Sequence, residues 1–256
     1  MGLLRDESSV TVKEQEHPHK LVPRPASTVV LLRDGPTGLQ TLLLRRNEAL
    51  SWAGGFWVFP GGSIDAADLA RAAGDAGQAA RLAALRETQE EAGIAVDGEL
   101  IGLGQWITPL GEPRRFATEY FVAACDPKAP VIVDGSEIVE GLWLHIDEAL
   151  RQHAAGRLRF YPPTWLTLCQ LRYFRHVADA LRGAAVLPRL RVEPVFGRGR
   201  GLQVALFEGD AGYQHGAADH GGPRHRVWQV DGRWRYEYAG VDPAIRPLDG
   251  RDIAGT

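Results

Sequence analysis

The chain has 256 residues, long enough to bury a full core as one large domain or as one domain with an appendage. Its 29 basic and 32 acidic residues leave a formal charge of −3, too little for a long-range field toward nucleic acid or an anionic membrane. Cys125 and Cys169 show no pairing framework or zinc spacing, no apolar run reaches membrane-spanning length, and the polar N-terminus lacks the apolar core of an export signal. These features point to a cytoplasmic protein with reduced core thiols.

Residues 1–23 mix charges, Ser, His and Pro without periodicity and read as a flexible tail, in which residues 10–12 could pair as an edge strand. Strand-like runs follow at 28–33 and 39–46, separated by the hairpin signal of residues 34–38. Residues 78–92 are the best helix of the chain, with Gly93 where a left-handed cap belongs. Further strands are expected at 100–108, 116–125 and 138–145, then a short helix at 147–155 capped by Asp147. A longer helix at 164–181 would bury Leu168, Leu171, Phe174 and Ala178. Past Pro188 the texture changes to alternating runs at 190–196, 202–207, 225–230 and 234–238, with Asp231-Gly232 a hairpin turn. Strands around a central helix suit a mixed-sheet α/β/α sandwich better than a doubly wound sheet.

Within the 78–92 helix, Glu87, Glu90 and Glu91 fall within about a third of a turn of one another, opposite Leu82, Leu85, Gln89 and Ala92. One face should pack while the other gathers negative charge. Like charges at these spacings repel by a few tenths of a kcal/mol per pair, roughly. A divalent cation reverses the sign, and hard carboxylate oxygens suit Mg²⁺ or Mn²⁺. Upstream, Gly61 and Gly62 of the string Phe59-Pro60-Gly61-Gly62 permit a turn and close backbone approach.

The string from Gly62 to Ile94 resembles the Nudix box, G-x5-E-x7-R-E-U-x-E-E-x-G-U with U a bulky aliphatic residue. Its second half matches from Arg86 to Ile94, with Thr88 at the first aliphatic position. In the first half Asp68 stands where the family has Glu, Asp65 lies nearby, and the gap to Arg86 is about ten residues longer than usual, as if an Ala-rich insertion with Gly74 and Gly77 preceded the helix. Strings outside the box, at 25–35, 42–46, 57–62, 106–109, 114–121 and 162–164, are similar to the subfamily that includes acyl-coenzyme A diphosphatases; Ala117 departs from it where many relatives carry an acid. The resemblance spans roughly residues 24–183.

It implies a Nudix-type α/β/α domain over 24–183 that includes a C-terminal helix, followed by a β-rich extension over 184–256. It further implies metal-dependent hydrolysis of a small-molecule nucleoside diphosphate derivative, with Mg²⁺ or Mn²⁺ on Glu87, Glu90, Glu91 and the Gly62 carbonyl, and Arg86 orienting a carboxylate. The base would be Glu90 or an acid of a later loop, Glu137 or Glu140. Arg114 and Arg115 are candidates for substrate phosphate. Coenzyme A or an acyl-coenzyme A is the first substrate expected, an ADP-ribose-type derivative the alternative, and a non-hydrolysing ligand sensor the reading from another class. The extension's strands could pair with the core sheet or with a second copy in a homodimer. His215, His220 and His225 match no zinc spacing, and residues 197–201 read as a turn rather than a phosphate loop.

Overall fold

The computed structural model describes residues 22–253, so the strand considered at residues 10–12 and most of the N-terminal tail lie outside the described residues. β1 (Arg24–Gly35) and β2 (Gly38–Arg46) form the expected hairpin, closing at Gly35 opposite Gly38. β1 is apolar on both faces because both are covered. Val29 and Leu31 pack toward the helix that carries the glutamates, while Val30 and Leu32 pack toward the later helices.

An eight-stranded mixed sheet forms around this hairpin. β6 (Phe116–Ala124) runs parallel to β1 along its whole length, and β5 (Ile101–Ile107) runs antiparallel to β6. β7 (Ile138–His145) and the short β3 (Trp57–Val58) pair with β2. β4 (Gly61–Ser63) pairs with the start of β1. The helices α1 (Ala66–Arg71) and α2 (Ala76–Ala92) follow β4, and α2 lies on one face of the sheet. α3 (Ile146–Ala154), α4 (Pro162–Leu171) and α5 (Val177–Val186) cover the other. The result is an α/β/α sandwich.

Several local expectations shift. The insertion before α2 forms a helical turn of its own, α1, closed by a reciprocal capping box in which Asp65 and Asp68 each accept from the other's backbone N–H. The packing stripe of α2 is Ala79, Ala80, Ala83, Ala84, Thr88, Glu91 and Ala92; Leu82 and Leu85 are half-buried and Gln89 is exposed. Small side chains let the helix axis approach the sheet, and Thr88 fits because its hydroxyl donates back to the Ala84 carbonyl at 2.7 Å. α3 is capped by the His145 ring, which accepts from the Asp147 N–H, and not by Asp147 itself.

The single helix expected at 164–181 is two. Residues 172–176 break it, the Phe174 ring turns in against Gly183, and the Asp34 carboxylate of the β1–β2 turn accepts from the Val177 N–H at the head of α5. Ala178 is consequently exposed, and Ala180 and Ala184 carry the buried face.

Beyond α5, β8 (Leu190–Val192) adds in parallel to β5 at the edge of the main sheet. β9 (Val195–Gly199), β10 (Leu202–Leu206), β11 (Arg224–Val230) and β12 (Arg233–Ala239) form a separate four-stranded sheet. Arg200-Gly201 and Asp231-Gly232 are its turns, all four residues at positive φ as a type I′ turn requires. Inside it, Arg226 and Asp210 form a fully buried bidentate pair at 2.6 and 2.7 Å. His225 is buried beside this pair and its Nδ1–H donates to the Glu208 carbonyl at 2.6 Å, while His215 and His220 stack on each other. Among the described residues no helix is long and apolar enough to cross a membrane.

The second sheet packs on α4 and β5 through Ala205, Phe207 and Val227, joined by Val192 of β8 and by Leu248, against Leu166, Trp165 and Trp106. The Trp234 indole also donates to the Phe160 carbonyl at 2.7 Å. Deleting residues 184–256 should uncover that apolar patch and free the β5 edge. The shortened chain is expected to bind a hydrophobic dye and self-associate on size exclusion; a monodisperse, dye-silent product melting with the intact chain would show that the second sheet is dispensable.

Candidate functional site

The site begins at the glycine turn between β3 and α1. A side chain at Gly61 would lie 2.4 Å from the Ser27 carbonyl, because β4 is pressed against β1 there. At Gly62 a Cβ would lie 2.4 Å from the Glu87 carboxyl carbon. Both positions therefore demand glycine for closeness of approach, and the second brings backbone directly under a helix carboxylate.

Arg86 binds the pieces together. Its guanidinium donates to Asp68 at 2.9 Å, to the Ser63 carbonyl at 3.0 Å, to Glu87 at 2.8 Å and to Glu90 at 3.0 Å. Burial alone would raise the Asp68 carboxyl, but the Arg86 hydrogen bond, the Asp65 N–H and the arginine's charge together hold it below the usual range. Asp68 is thus the anchor of Arg86. In the sequence it stood out as the residue at the first Glu position of the box.

Beside this clamp the helix acids do not share one environment. Glu90 is exposed. Glu87 is mostly buried, and burial, only partly offset by Arg86, raises its carboxyl; Glu90 and Glu137 add to the rise. Glu91 lies on the packing face, accepts from the Gly61 N–H at 2.9 Å, and is pushed up to about 8 by burial, with further repulsion from Glu87 and Glu137. The expectation that all three glutamates share the solvent face is therefore corrected. Glu91 points inward because its long side chain has to reach the glycine turn.

The two later acids separate. Glu137 pairs with Arg46 at 2.7 Å and is close enough to raise both Glu87 and Glu91. Glu140 pairs with Arg45 at 3.0 Å, and Arg45, one residue along β2, projects from the opposite sheet face. Sequence position could not distinguish them; the strand pleat does.

Glu87 and Glu91 have the chemistry a hard divalent cation needs: two desolvated carboxylates that repel each other, one of them over the Gly62 backbone. Among the described residues no three acidic, His or Cys side chains converge into a ready cage. The residues that would hold a cation are Glu87 and Glu91 with the Gly62 carbonyl, joined by Glu90 if it leaves Arg86 and by water, a coordination usual for Mg²⁺.

The two arginines proposed for substrate also part company. Arg115 is buried, donates to the Thr108 and Pro109 carbonyls, and pairs with Glu193 at 2.7 Å. It ties the β5–β6 loop to the segment after β8 and is not available to a phosphate. Arg114, its neighbour, is exposed on that loop. Ala117, in β6 opposite Ile107, is half-buried.

A profile of the NUDIX domain family matches residues 22–163. A Caenorhabditis elegans protein assigned as a nudix hydrolase is 24% identical over 226 residues, covering 74% of each chain. Among solved structures, a NUDIX hydrolase from Alicyclobacillus acidocaldarius superposes with a TM-score of 0.60 at 23% identity, over 65% of this chain and 99% of that one. That likeness shows a common fold.

The raised Glu91 carboxyl has a consequence for the metal-free protein. Its folded form holds a proton that the unfolded chain releases near pH 4.5, so this group's contribution to stability is present at low pH and fades as pH rises from about 4.5 to about 8. Glu91→Gln should remove that loss and keep an acceptor for Gly61. In chelator the variant is expected to melt at least ~3 °C above the parent at pH 8, corresponding to about 1 kcal/mol for a chain of this size, and with it at pH 5. Coincident melts at both values would place Glu91 in water, and Mg²⁺ should raise the parent's melting point more than the variant's.

Proposed function

The chain belongs to the NUDIX domain family, and from that premise we propose that this diphosphohydrolase cleaves coenzyme A or an acyl-coenzyme A at its diphosphate bond. The observation that carries the hydrolytic reading is the pair of buried, raised carboxylates Glu87 and Glu91 beside the Gly61-Gly62 turn, with Glu137 facing both. Mg²⁺ or Mn²⁺ bound there supplies polarisation of the phosphoryl oxygens and a lowered pKa for a water. Arg86 holds Glu87 and Glu90 in place by charge-assisted hydrogen bonds. Of the candidate bases, Glu137 would be the later acid to accept a proton, supported by its proximity to Glu87 and Glu91, and Glu90 the helix acid; Glu140 pairs with Arg45.

The same reading assigns catalysis to residues 24–183 and a supporting role to 184–256. For the substrate, support comes from the strings outside the box that resemble acyl-coenzyme A diphosphatases and from Arg114, exposed where a 3′-phosphate could reach it. With Arg115 committed to Glu193, any phosphate clamp on this loop falls to Arg114 alone.

Glu90→Gln and Glu91→Gln should each lower kcat by about a hundredfold or more with the fold retained, because metal catalysis contributes several kcal/mol. Near-normal turnover in both would remove these acids from catalysis. Across coenzyme A, acyl-coenzyme A, dephospho-coenzyme A, ADP-ribose, NADH and dinucleoside polyphosphates, kcat/KM should be highest for the coenzyme A species. Loss of the 3′-phosphate should cost about ten- to a hundredfold, the scale of a hydrogen bond to a charged group, and Arg114→Ala should shrink that preference where Arg115→Ala chiefly lowers stability. Faster cleavage of ADP-ribose than of any coenzyme A species would move the assignment to that substrate, and no turnover with any metal would favour a sensor.

A further inference from the structure

Ser27 of β1 is 1% exposed, and its hydroxyl has no hydrogen-bond partner among the described residues. Thr28, Thr41 and Thr88, buried in the same sheet and in α2, donate to the carbonyls of Pro60, Leu31 and Ala84 at 2.6, 2.9 and 2.7 Å. Ser27 finds no such carbonyl. Alanine would fill the position without burying an orphaned polar group, so the hydroxyl is one that the fold alone does not call for.

The strand register shows where it stands. Ser27 is directly opposite Gly62 in the antiparallel β1–β4 pair, and side chains opposite one another share a face with Cβ positions roughly 4.5–5.5 Å apart. A Cβ at Gly62 would touch the Glu87 carboxylate, so the Ser27 side chain lies next to that carboxylate, on the face where Val29 and Leu31 pack toward α2. On its other side Ser27 neighbours Glu119 of β6. Glu119 is already engaged, since Oε1 accepts from the Gln105 side-chain amide at 2.8 Å and Oε2 from Arg189 at 3.3 Å. Glu87 is engaged on one oxygen only: Arg86 donates to Oε1, and among the described residues no hydrogen bond reaches Oε2.

We propose that Ser27 is a positioning residue for the cation, its hydroxyl donating to the Glu87 carboxylate when that carboxylate is committed to Mg²⁺ or Mn²⁺. A hydroxyl donor favours the ionised form of an acid that burial otherwise discourages, and it fixes which oxygen is left to face the metal. Cation binding thereby gives the hydroxyl the partner that the fold denies it. Ser27 touches neither substrate nor reacting atoms and acts through Glu87 alone. The assignment rests on the diphosphohydrolase reading, which supplies the cation, and its test reads binding rather than turnover.

One substitution should move two readouts in opposite directions. Ser27→Ala should raise the melting point in chelator by about 2 °C or more, because the orphaned hydroxyl is gone. The same variant should bind Mn²⁺, followed by EPR on the full chain, and Mg²⁺, followed by competition, about tenfold or more weakly, as loss of a hydrogen bond to a metal ligand does. Ser27→Cys keeps nearly the size and loses most of the donor strength, so it should bind both cations as weakly as the alanine variant. In turnover, raising Mg²⁺ should recover the rate of Ser27→Ala. Parent-like cation affinity in a folded Ser27→Ala or Ser27→Cys protein overturns the assignment and leaves the hydrolytic reading standing. A lower melting point of Ser27→Ala in chelator overturns it as well, since the hydroxyl would then be an ordinary structural group. If the parent itself binds neither cation, the cation site and the hydrolytic reading fall, and Ser27 falls with them.

Discussion

Arg86 is the contact on which the site depends. One guanidinium, on one turn of α2, reaches the carbonyl of β4, the buried acid of α1 and two acids of its own helix. Asp68 is almost wholly buried, and an unpaired carboxylate there would be among the costliest groups a fold can carry. With the arginine present, the same burial makes the pairing firm and fixes α1 on α2. The inserted residues before α2 are tolerated because the insertion folds into a capped turn whose acid is delivered to Arg86. A shorter acid than the expected glutamate suffices, since α1 carries it close.

Beside that clamp a second acid is buried, this one on the packing face of α2. Glu91 sits on a stripe otherwise built of alanines and Thr88. Those small residues let α2 lie close to the sheet, which brings Glu91 into contact with the Gly61 N–H and shuts it off from water. A core helix chosen for stability would carry an apolar residue there. Local violations of this kind are expected where chemistry has to be done. The raised Glu87 and Glu91 carboxyls express the same fact energetically: the folded chain holds negative charge poorly here unless a cation or a proton compensates it.

Much of the architecture was legible from periodicity and turn residues: the first hairpin, α2 with its glycine cap, the three central strands and the hairpins of the second sheet. What escaped had remote causes. The break after Leu171 follows from Asp34, which caps α5 across 143 residues of sequence, and from Phe174 turning onto Gly183. Arg115 looked like a phosphate ligand because its partner, Glu193, lies 78 residues away. The α2 packing face was misjudged by weighting leucines over alanines, although helix-to-sheet approach rewards small side chains. The helix acids themselves were readable as a set; that one of them is buried was not. The contacts among Trp52, Phe56, Phe116 and Tyr161 were invisible because these rings come from three separated segments and none forms a motif alone.

The placement of Glu137 shows how a small irregularity decides chemistry. Arg45 of β2 pairs across to Glu140 and Arg46 to Ile138, so β7 carries one extra residue, Val139, between them. A bulge of this kind bends the strand and re-aims side chains. Arg45 keeps Glu140 on the face covered by α3, α4 and α5, while Arg46 turns to the α2 face and holds Glu137 opposite the buried glutamates. The same arginine then lies over Trp52. Arg46 therefore lies between the proposed proton acceptor and the Trp52 ring, its face set by the β2 pleat, while the extra residue of β7 turns the Ile138–Glu137 end of that strand toward it.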